Sequence, residues 1–347
     1  MKVLHVLYSQ IFSGAENVVC QIIGMFNDDP NVEMAYCSPA GTNVPALAER
    51  GIDFRSLEKF SVSEIKRVIN EYKPDIIHAH DMRASFAAAR ACGDIPLVSH
   101  IHNNAFDSRG ISPKSIAYLF AAQKAKNIIW VSKSAFNGYA FSKYFKDKSR
   151  ILYNVMDADA LRERMEKDTN EYDFDIIFVG RMTYPKNIQR LLHILRRACD
   201  KNDSIKVAIV GDGEEEDEIK ALCTSLNLDS NVNFLGFQSN PTKMLHDSKI
   251  MVMTSRWEGL PMVALEAIAL SVPIISTPTD GLKDLVKPGV NGFLFDDDNL
   301  FADKLVEVLA DEELRSKLKE GQRLRSLEVN NIENYKAKLC SIYGIGD

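Results

Sequence analysis

Two glutamates eight residues apart, Glu258 and Glu266, carry the strongest chemical signal in the chain. They lie in the run Ser255-Arg-Trp-Glu258-Gly259-Leu260-Pro261-Met262-Val263-Ala-Leu-Glu266-Ala267. Pro261 suits the first turn of a helix, so Glu258 falls in the loop before it and Glu266 about a turn and a half inside. Glu266 then sits among Met262, Val263, Ala264, Leu265, Ala267 and Ile268, where a carboxylate is costly without partners. The two hydroxyls of a ribose would satisfy it, and so would the backbone of a neighbouring loop. Upstream, the apolar run Ile176–Val179 ends in Gly180-Arg181, followed by Met-Thr-Tyr-Pro-Lys186-Asn187 and a helix-like segment. Two cations at the end of a strand and the start of a helix form a clamp suited to a diphosphate, although lone cations in loops are more often simply solvated. A third candidate is Ser9-Gln-Ile-Phe-Ser-Gly-Ala-Glu-Asn17, with Gly14 where a helix begins. A small residue there lets backbone N–H groups approach an anion; a plain turn is the competing reading.

The histidines form two His-x-His pairs, His78 with His80 and His100 with His102, each at the end of an apolar run. Strand alternation puts the members of each pair on one face. Metal ligation is one use for such pairs, but no further acidic or histidine ligand falls at a recognisable spacing. His5, His193 and His246 read as ordinary polar packing.

These residues need a frame that brings strand ends together. Apolar runs of four to seven residues alternate with helix-period segments throughout, the pattern of parallel sheets covered by helices. A first series of strands is expected at Val3–Tyr8, Val32–Cys37, Asp75–Ala79, Leu97–Ile101, Ile128–Val131 and Ile151–Tyr153. A second follows at Asp175–Val179, Lys206–Val210, Val232–Leu235, Ile250–Thr254, Pro273–Ser276 and Gly292–Phe295. This divides the chain into an N-terminal domain over 1–156, a charged linker over 157–172, a C-terminal domain over 173–330 and a closing helix over 331–347. In open α/β sheets ligands sit beyond the carboxyl ends of the strands, where the residues above fall.

Composition narrows the class. The 347 residues are 46% hydrophobic, enough for two cores. No apolar run approaches the roughly 20 residues that span a bilayer, and the N-terminus lacks a signal-peptide pattern, so a cytoplasmic protein is expected. Six scattered cysteines without a C-x-x-C pair suit reduced, buried thiols. The net charge of -6 divides as +4 over residues 1–150 (18 basic, 14 acidic) and -10 over the remainder (24 basic, 34 acidic). Residues 109–150 hold nine basic side chains (Arg109, Lys114, Lys124, Lys126, Lys133, Lys143, Lys146, Lys148 and Arg150) against Asp147 alone. Such a face suggests an anionic partner. Nucleic acid is not expected at a pI of about 5.7 without an aromatic-basic reading surface. Neither Gly14 nor Gly211-Asp-Gly213 belongs to a G-x-G-x-x-G fingerprint, which disfavours a nicotinamide enzyme.

From end to end the chain resembles the GT-B-fold retaining glycosyltransferases of family 4, the group 1 enzymes of capsular, exopolysaccharide and lipopolysaccharide synthesis. The residues that carry the resemblance are Ser13-Gly14-Ala15-Glu16, Asp75-Ile-Ile-His78-Ala-His80, His100-Ile-His102-Asn103, Trp130-Val-Ser132, Leu152-Tyr-Asn154, Val179-Gly180-Arg181, Lys186-Asn187, Val210-Gly-Asp-Gly213, Phe234-Leu-Gly236 and the Glu258 to Glu266 element. The resemblance implies two Rossmann-like domains facing across a cleft. It implies that Arg181 and Lys186 hold the donor diphosphate, Glu266 the ribose and Glu258 the sugar. The backbone of Gly259, Leu260, Pro261, Met262 and Val263 lies near sugar and phosphates, with Gly14 and Gly180 beside the diphosphate and Gly236 and Phe237 at the base. His102 matches the histidine near the reacting sugar; with Glu258, Arg181 and Lys186 it completes the expected catalytic set. Ser13 departs from the family, which commonly has a second glycine there, and this weakens the fit of Gly14 to a diphosphate.

The expected activity is a retaining hexosyltransferase that moves a sugar from a nucleotide-sugar, UDP-sugar first, to a saccharide or lipid-linked acceptor in bacterial surface polysaccharide or glycolipid synthesis. The acceptor site is expected in the first domain, through Glu16, Asn17, His102 and Asn103. No cofactor or metal is expected; Asp157-Ala-Asp159 spells the Asp-x-Asp of metal-dependent transferases but lies in the linker. Association with an anionic membrane surface at its inner face follows from the basic excess, at about 1 kcal/mol per well-placed charge. Competing readings are a nucleotide-sugar epimerase of the same architecture and a noncatalytic sugar-nucleotide-binding protein.

Overall fold

A computed structural model of the chain describes residues 1–102, 108 and 110–346. It divides into two compact units, the first made of 1–154 with 332–347 and the second of 155–331. Each is a wholly parallel sheet with helices in its crossovers, as buried strand runs joined by amphipathic segments require.

The first sheet contains β1 (Lys2–Val6), β2 (Glu33–Pro39), β3 (Phe54–Leu57), β4 (Ile76–His80), β5 (Leu97–Ile101), β6 (Asn127–Trp130) and β7 (Ser149–Ile151). Its order is β3-β2-β1-β4-β5-β6-β7, so the winding direction reverses between β1 and β4. The second contains β8 (Ile176–Val179), β9 (Val207–Val210), β10 (Val232–Gly236), β11 (Ile250–Met253), β12 (Ile274–Ser276) and β13 (Gly292–Leu294). Its order is β10-β9-β8-β11-β12-β13, reversing between β8 and β11. Ligands of doubly wound sheets bind at such reversals, beyond the strands' carboxyl ends.

All twelve expected strands are present, with ends shifted by no more than two residues. β3 was not expected. As an edge strand it buries only Leu57 fully, and its exposed Arg55 pairs with Asp53, so it offers no apolar run to read.

The 157–172 stretch is no bare linker. It forms the helix Ala158–Glu166, whose Leu161 is buried in the second unit. Asp157 caps that helix, its Oδ1 accepting from the backbone N–H groups of Asp159 and Ala160, while Asp159 pairs with Arg162. Both members of the Asp-x-Asp spelling therefore have local structural jobs.

The helix Ile332–Tyr343 returns to the first unit, where the Tyr343 hydroxyl lies 2.7 Å from His78 Nδ1. In that unit Trp130, Tyr118 and Tyr139 are fully buried edge-to-face or stacked, and their polar tips reach Ser149, Ser99 and Ser115. The second core is aliphatic, built on Phe178, Leu191, Leu195, Ile209 and Phe301. The six cysteines are unpaired; all are buried except Cys340, which is half-buried.

In the second unit the helix Glu312–Val329 lies close against the loop before β13. A Cβ at Gly321 would come within 1.8 Å of the Val290 carbonyl oxygen. Gly321→Ala is expected to lower unfolding stability by about 2–3 kcal/mol, the size of an overpacked core site. Urea denaturation read at Trp257, which lies in this unit, measures it; an unchanged midpoint would mean that the helix can move away.

Candidate functional site

In the second unit the loops after β8 and β11 flank the reversal point, and both sequence-predicted elements occur there. Backbone hydrogen bonds stitch the strand ends together: Gly180 N–H to Val210 O (2.9 Å), Met182 N–H to Asp212 O (2.6 Å) and Gly211 N–H to Gly236 O (2.8 Å). Gly211 has φ +133°, and a Cβ there would stand 2.0 Å from the Gly180 carbonyl oxygen. Only glycine permits this approach, which fixes the turn that presents Arg181.

Lys186 precedes the helix Ile188–Cys199, whose N-cap Asn187 adopts a left-handed backbone (φ 56°). Its Nζ lies 2.6 Å from Glu258 Oε1, with the two side chains 21% and 11% exposed. Ser255 Oγ donates to the same oxygen at 2.7 Å. Longer-range bonds hold the two loops in register, namely Arg256 N–H to Pro185 O (2.8 Å) and Thr254 Oγ1 to Asn187 O (3.0 Å). Arg181 is exposed and has no ion-pair partner among the described residues. One cation is thus held by a carboxylate, and the other is open to an anion.

After Glu258, Gly259, Leu260, Pro261 and Met262 are buried and Val263 is half-buried; Pro261 is the N-cap of the helix Met262–Ala269. Gly259 packs so closely on the helix Asp280–Leu285 that a Cβ at Gly281 would meet its carbonyl oxygen at 2.2 Å. Glu266 is half-buried one turn into that helix. The first N–H groups of a helix have no partner within it and favour anions. Gly236 closes β10 at φ +63°, and Phe237 beyond it is 60% exposed, a ring face open for stacking. Sequence reading gave no role to Ser255, Gly211 or Gly281. Their contacts are made with segments distant in sequence, and spacing alone does not reveal these.

In the first unit Gly14 begins the helix Gly14–Met25 and is exposed, with Asn17 half-buried behind it. Glu16 departs from expectation. It is 3% exposed, and its Oε2 accepts from Ser13 N–H (3.1 Å) and Ser13 Oγ (2.6 Å), closing a capping box. Burial raises its pKa. Glu16 is therefore a cap that shapes the loop rather than an acceptor-binding group, and the Ser13 that departs from the family is its partner. Asn103 and Arg109 lie outside the described residues.

Five of the seven histidines meet at the β1/β4 reversal. His5 is register partner to His78, and His80 to His100. The rings of His78 and His80 are 4.3 Å apart and those of His100 and His102 4.2 Å apart, as alternation implies. His5, expected as ordinary packing, joins them, its Nδ1 lying 3.0 Å from His80 Nε2. His80 Nδ1 in turn lies 2.8 Å from His102 Nε2, and Asp81 Oδ1 accepts from the His102 backbone N–H at 3.0 Å. Burial lowers the pKa of all five imidazoles, of His5 and His102 to about 3, and raises that of Asp81 to about 6. The five rings are neutral at pH 7.

Comparisons with known proteins now bear on this arrangement. Residues 15–160 match the family model described as Glycosyltransferase Family 4, and residues 159–325 match the one described as Glycosyl transferases group 1. The chain belongs to this glycosyltransferase family. The glycosyltransferase is 26% identical over 350 residues to the UDP-Gal:alpha-D-GlcNAc-diphosphoundecaprenol alpha-1,3-galactosyltransferase of Escherichia coli, covering 90% of this chain and 89% of that one. It is 26% identical over 296 residues to the N-acetyl-alpha-D-glucosaminyl L-malate synthase of Bacillus anthracis, covering 81% and 77%. A crystal structure of Anabaena HepE in complex with UDP and glucose superposes with a TM-score of 0.85 at 20% identity, covering 99% of both chains. That likeness establishes the GT-B fold for this glycosyltransferase.

The histidine cluster makes the first unit acid-labile. A lowered imidazole pKa contributes stability that is present above the unfolded value near 6.5 and is lost as pH falls toward about 3, because only the unfolded chain takes up the proton. Glu16 and Asp81, with raised pKa values, act oppositely, gaining stability as pH falls toward about 4. Five imidazoles outweigh two carboxyls. Urea midpoints read at Trp130 are therefore expected to fall steadily from pH 7 to pH 5, and a flat profile would contradict the buried, neutral state of the cluster.

Proposed function

We propose that this glycosyltransferase transfers a hexose-type sugar from a UDP-sugar to a saccharide or lipid-linked acceptor with retention of anomeric configuration, in bacterial surface polysaccharide or glycolipid synthesis. The observation that carries the reading is the second unit's cation pair at the β8/β11 reversal. Arg181 is open, and Lys186 is held at Glu258 beside two helix N-termini. Departure of the sugar leaves negative charge on the diphosphate, and fixed cations with helix N–H groups are the means to stabilise it. Lys186 has three N–H donors, so it can keep Glu258 and still meet a phosphate oxygen. Glu266 takes the ribose hydroxyls, Phe237 stacks on the base, and Glu258 reaches the sugar. Gly180, Gly236 and the 259–263 backbone border the donor.

No protein nucleophile is assigned; the acceptor attacks on the face that the diphosphate leaves. Charge neutralisation by Arg181 and Lys186 makes a metal ion unnecessary. The first unit serves the acceptor through Asn17 and His102. The UDP assignment is supported by HepE, crystallised with UDP and glucose, and by the E. coli relative, whose name specifies UDP-Gal. A lipid-linked acceptor is supported by that relative and by one from Campylobacter jejuni, both named for diphospho-undecaprenol acceptors.

No helix among the described residues is long and apolar enough to cross a membrane. The first unit does expose Ile116 (53%) and Phe120 (47%), four apart on the helix Pro113–Lys124, with Lys114 and Lys124 at the ends of that helix. Tyr144 is 81% exposed beside Lys143. Apolar rings and aliphatics among lysines suit an anionic bilayer surface, and this glycosyltransferase works there, at the inner face of the membrane.

Four measurements test the reading. A thermal-shift screen with UDP-, GDP-, ADP- and dTDP-sugars should respond to the UDP class, with about 2.7 kcal/mol gained at 100 times the dissociation constant. Silence with every UDP-sugar would count against it. Lys186→Ala and Glu266→Ala should each abolish that shift, with transfer lost and the far-UV spectrum kept, while EDTA leaves wild-type transfer unchanged. Interconversion of the donor's sugar without an acceptor would make the protein an epimerase instead. Finally, Phe120→Glu should abolish sedimentation with anionic vesicles at low salt, and a wild type that never sediments would remove the membrane assignment.

A further inference from the structure

Arg256 is exposed and has no ion-pair partner among the described residues, yet its side chain is not loose. Its Nε donates to Tyr184 O at 3.2 Å, its guanidinium lies 4.2 Å over the Tyr184 ring, and its backbone N–H donates to Pro185 O at 2.8 Å. The Trp257 ring stands 5.8 Å from that of Tyr184, tilted by 56°. Two residues before Arg256, Thr254 Oγ1 lies 3.0 Å from Asn187 O and 3.4 Å from Lys186 O. The carbonyls of four consecutive residues, Tyr184 to Asn187, are therefore met by two residues of the loop after β11.

The stretch held in this way carries Lys186, and it has reason to need holding. Pro185 has no N–H to donate, and Asn187 sits in the left-handed region at φ 56°, a conformation that persists where neighbours fix it. The ion pair with Glu258 does not fix the backbone, because an ammonium on a flexible four-carbon stem reaches one carboxylate from many backbone positions. Arg256 differs in kind. A planar guanidinium that bonds one residue's carbonyl and stacks on the same residue's ring admits few arrangements. Arg256 is on the surface and outside the aliphatic core, so it restrains this loop rather than the unit as a whole.

We propose that Arg256 is a positioning residue for the transfer: by gripping Tyr184 and Pro185 it sets where Lys186 can bring its ammonium, and it acts through Lys186 rather than by its own charge. This rests on the reading of Lys186 as the diphosphate contact. When Lys186 leaves Glu258 for a phosphate oxygen, its side chain turns while its backbone stays bonded to the loop after β11. The ordering of the loop is then complete before the donor arrives, which is what makes a fixed cation effective. The two ideas separate experimentally, because the restraint on the loop is read without any ligand.

The test titrates the full chain with UDP by calorimetry and follows amide exchange over residues 183–188 by mass spectrometry without ligand, a segment in which Lys186 N–H donates to Thr183 O at 2.9 Å. Arg256→Ala should weaken UDP binding by about tenfold, the scale of one lost hydrogen bond, and speed exchange in the segment while leaving the urea midpoint unchanged. Gln carries an amide nitrogen as many bonds from Cα as the Arg Nε, so Arg256→Gln should restore most of the affinity and the slow exchange without any charge. Lys keeps the charge but has a methylene at that place, so Arg256→Lys should behave as Arg256→Ala. The reverse pattern, rescue by Lys and not by Gln, would make Arg256 a direct phosphate contact and overturn the proposal. Unchanged UDP affinity in Arg256→Ala, weakened affinity with exchange unaltered, or a lowered urea midpoint that Arg256→Gln does not restore would each overturn it as well. The expected exchange pattern in a chain that binds no UDP would instead count against the donor reading alone.

Discussion

A parallel sheet delivers the carboxyl end of every strand to one edge, and each functional feature of this chain depends on that constraint. Strand ends left there must still satisfy their backbone groups. In the second unit they do so by bonding to one another, Gly180 to Val210, Met182 to Asp212 and Gly211 to Gly236. That ladder of loop contacts needs glycine where carbonyl oxygens approach within 2.0 Å of where a Cβ would be. The result is a rigid floor that leaves Arg181 open while Lys186 is paired with Glu258.

The Lys186–Glu258 pair sets the resting charge of that floor. A half-buried ammonium beside a half-buried carboxylate is a compromise, since neither is fully hydrated and their attraction offsets only part of what desolvation costs. Ser255 supplies a second hydrogen bond to the same carboxylate oxygen, so Glu258 keeps a partner when Lys186 turns toward an anion. The same economy recurs in the first unit, where Ser13 satisfies the buried Glu16 and the Asp81 carboxylate receives the His102 backbone N–H. These three carboxylates are supplied by neighbours at the strand ends, where hydrogen-bonding atoms are plentiful.

The architecture was legible because buried parallel strands are written as apolar runs, and twelve of them could be read directly. β3 escaped because an edge strand with Arg55 and Ser56 facing water carries no such run. The donor-side elements were legible through types and spacing: a proline at a helix start, a carboxylate in an apolar helix, and two cations after a strand. Their wiring was not, because Lys186 meets Glu258 across 72 residues and Gly281 meets Gly259 across a crossover. Glu16 was misread for a physical reason. In Ser13-x-x-Glu16 a helix-capping pair and a polar site pair have the same spelling, and burial decides between them. The partners of His5 were not legible because both are on β4, a strand that only the sheet order brings beside β1.

The helix Ile332–Tyr343 has a consequence for how the chain is made. The second unit is continuous in sequence, 155–331, whereas the first needs 332–347 to cover its sheet and to supply the Tyr343 hydroxyl to His78. During synthesis the ribosome emits the chain from its N-terminus at roughly 5–20 residues per second, and domains usually fold in that order. Here the order is inverted. The unit synthesised first remains an open sheet with a bare histidine stack while the second unit is made and folded, and it closes only when the final helix is released.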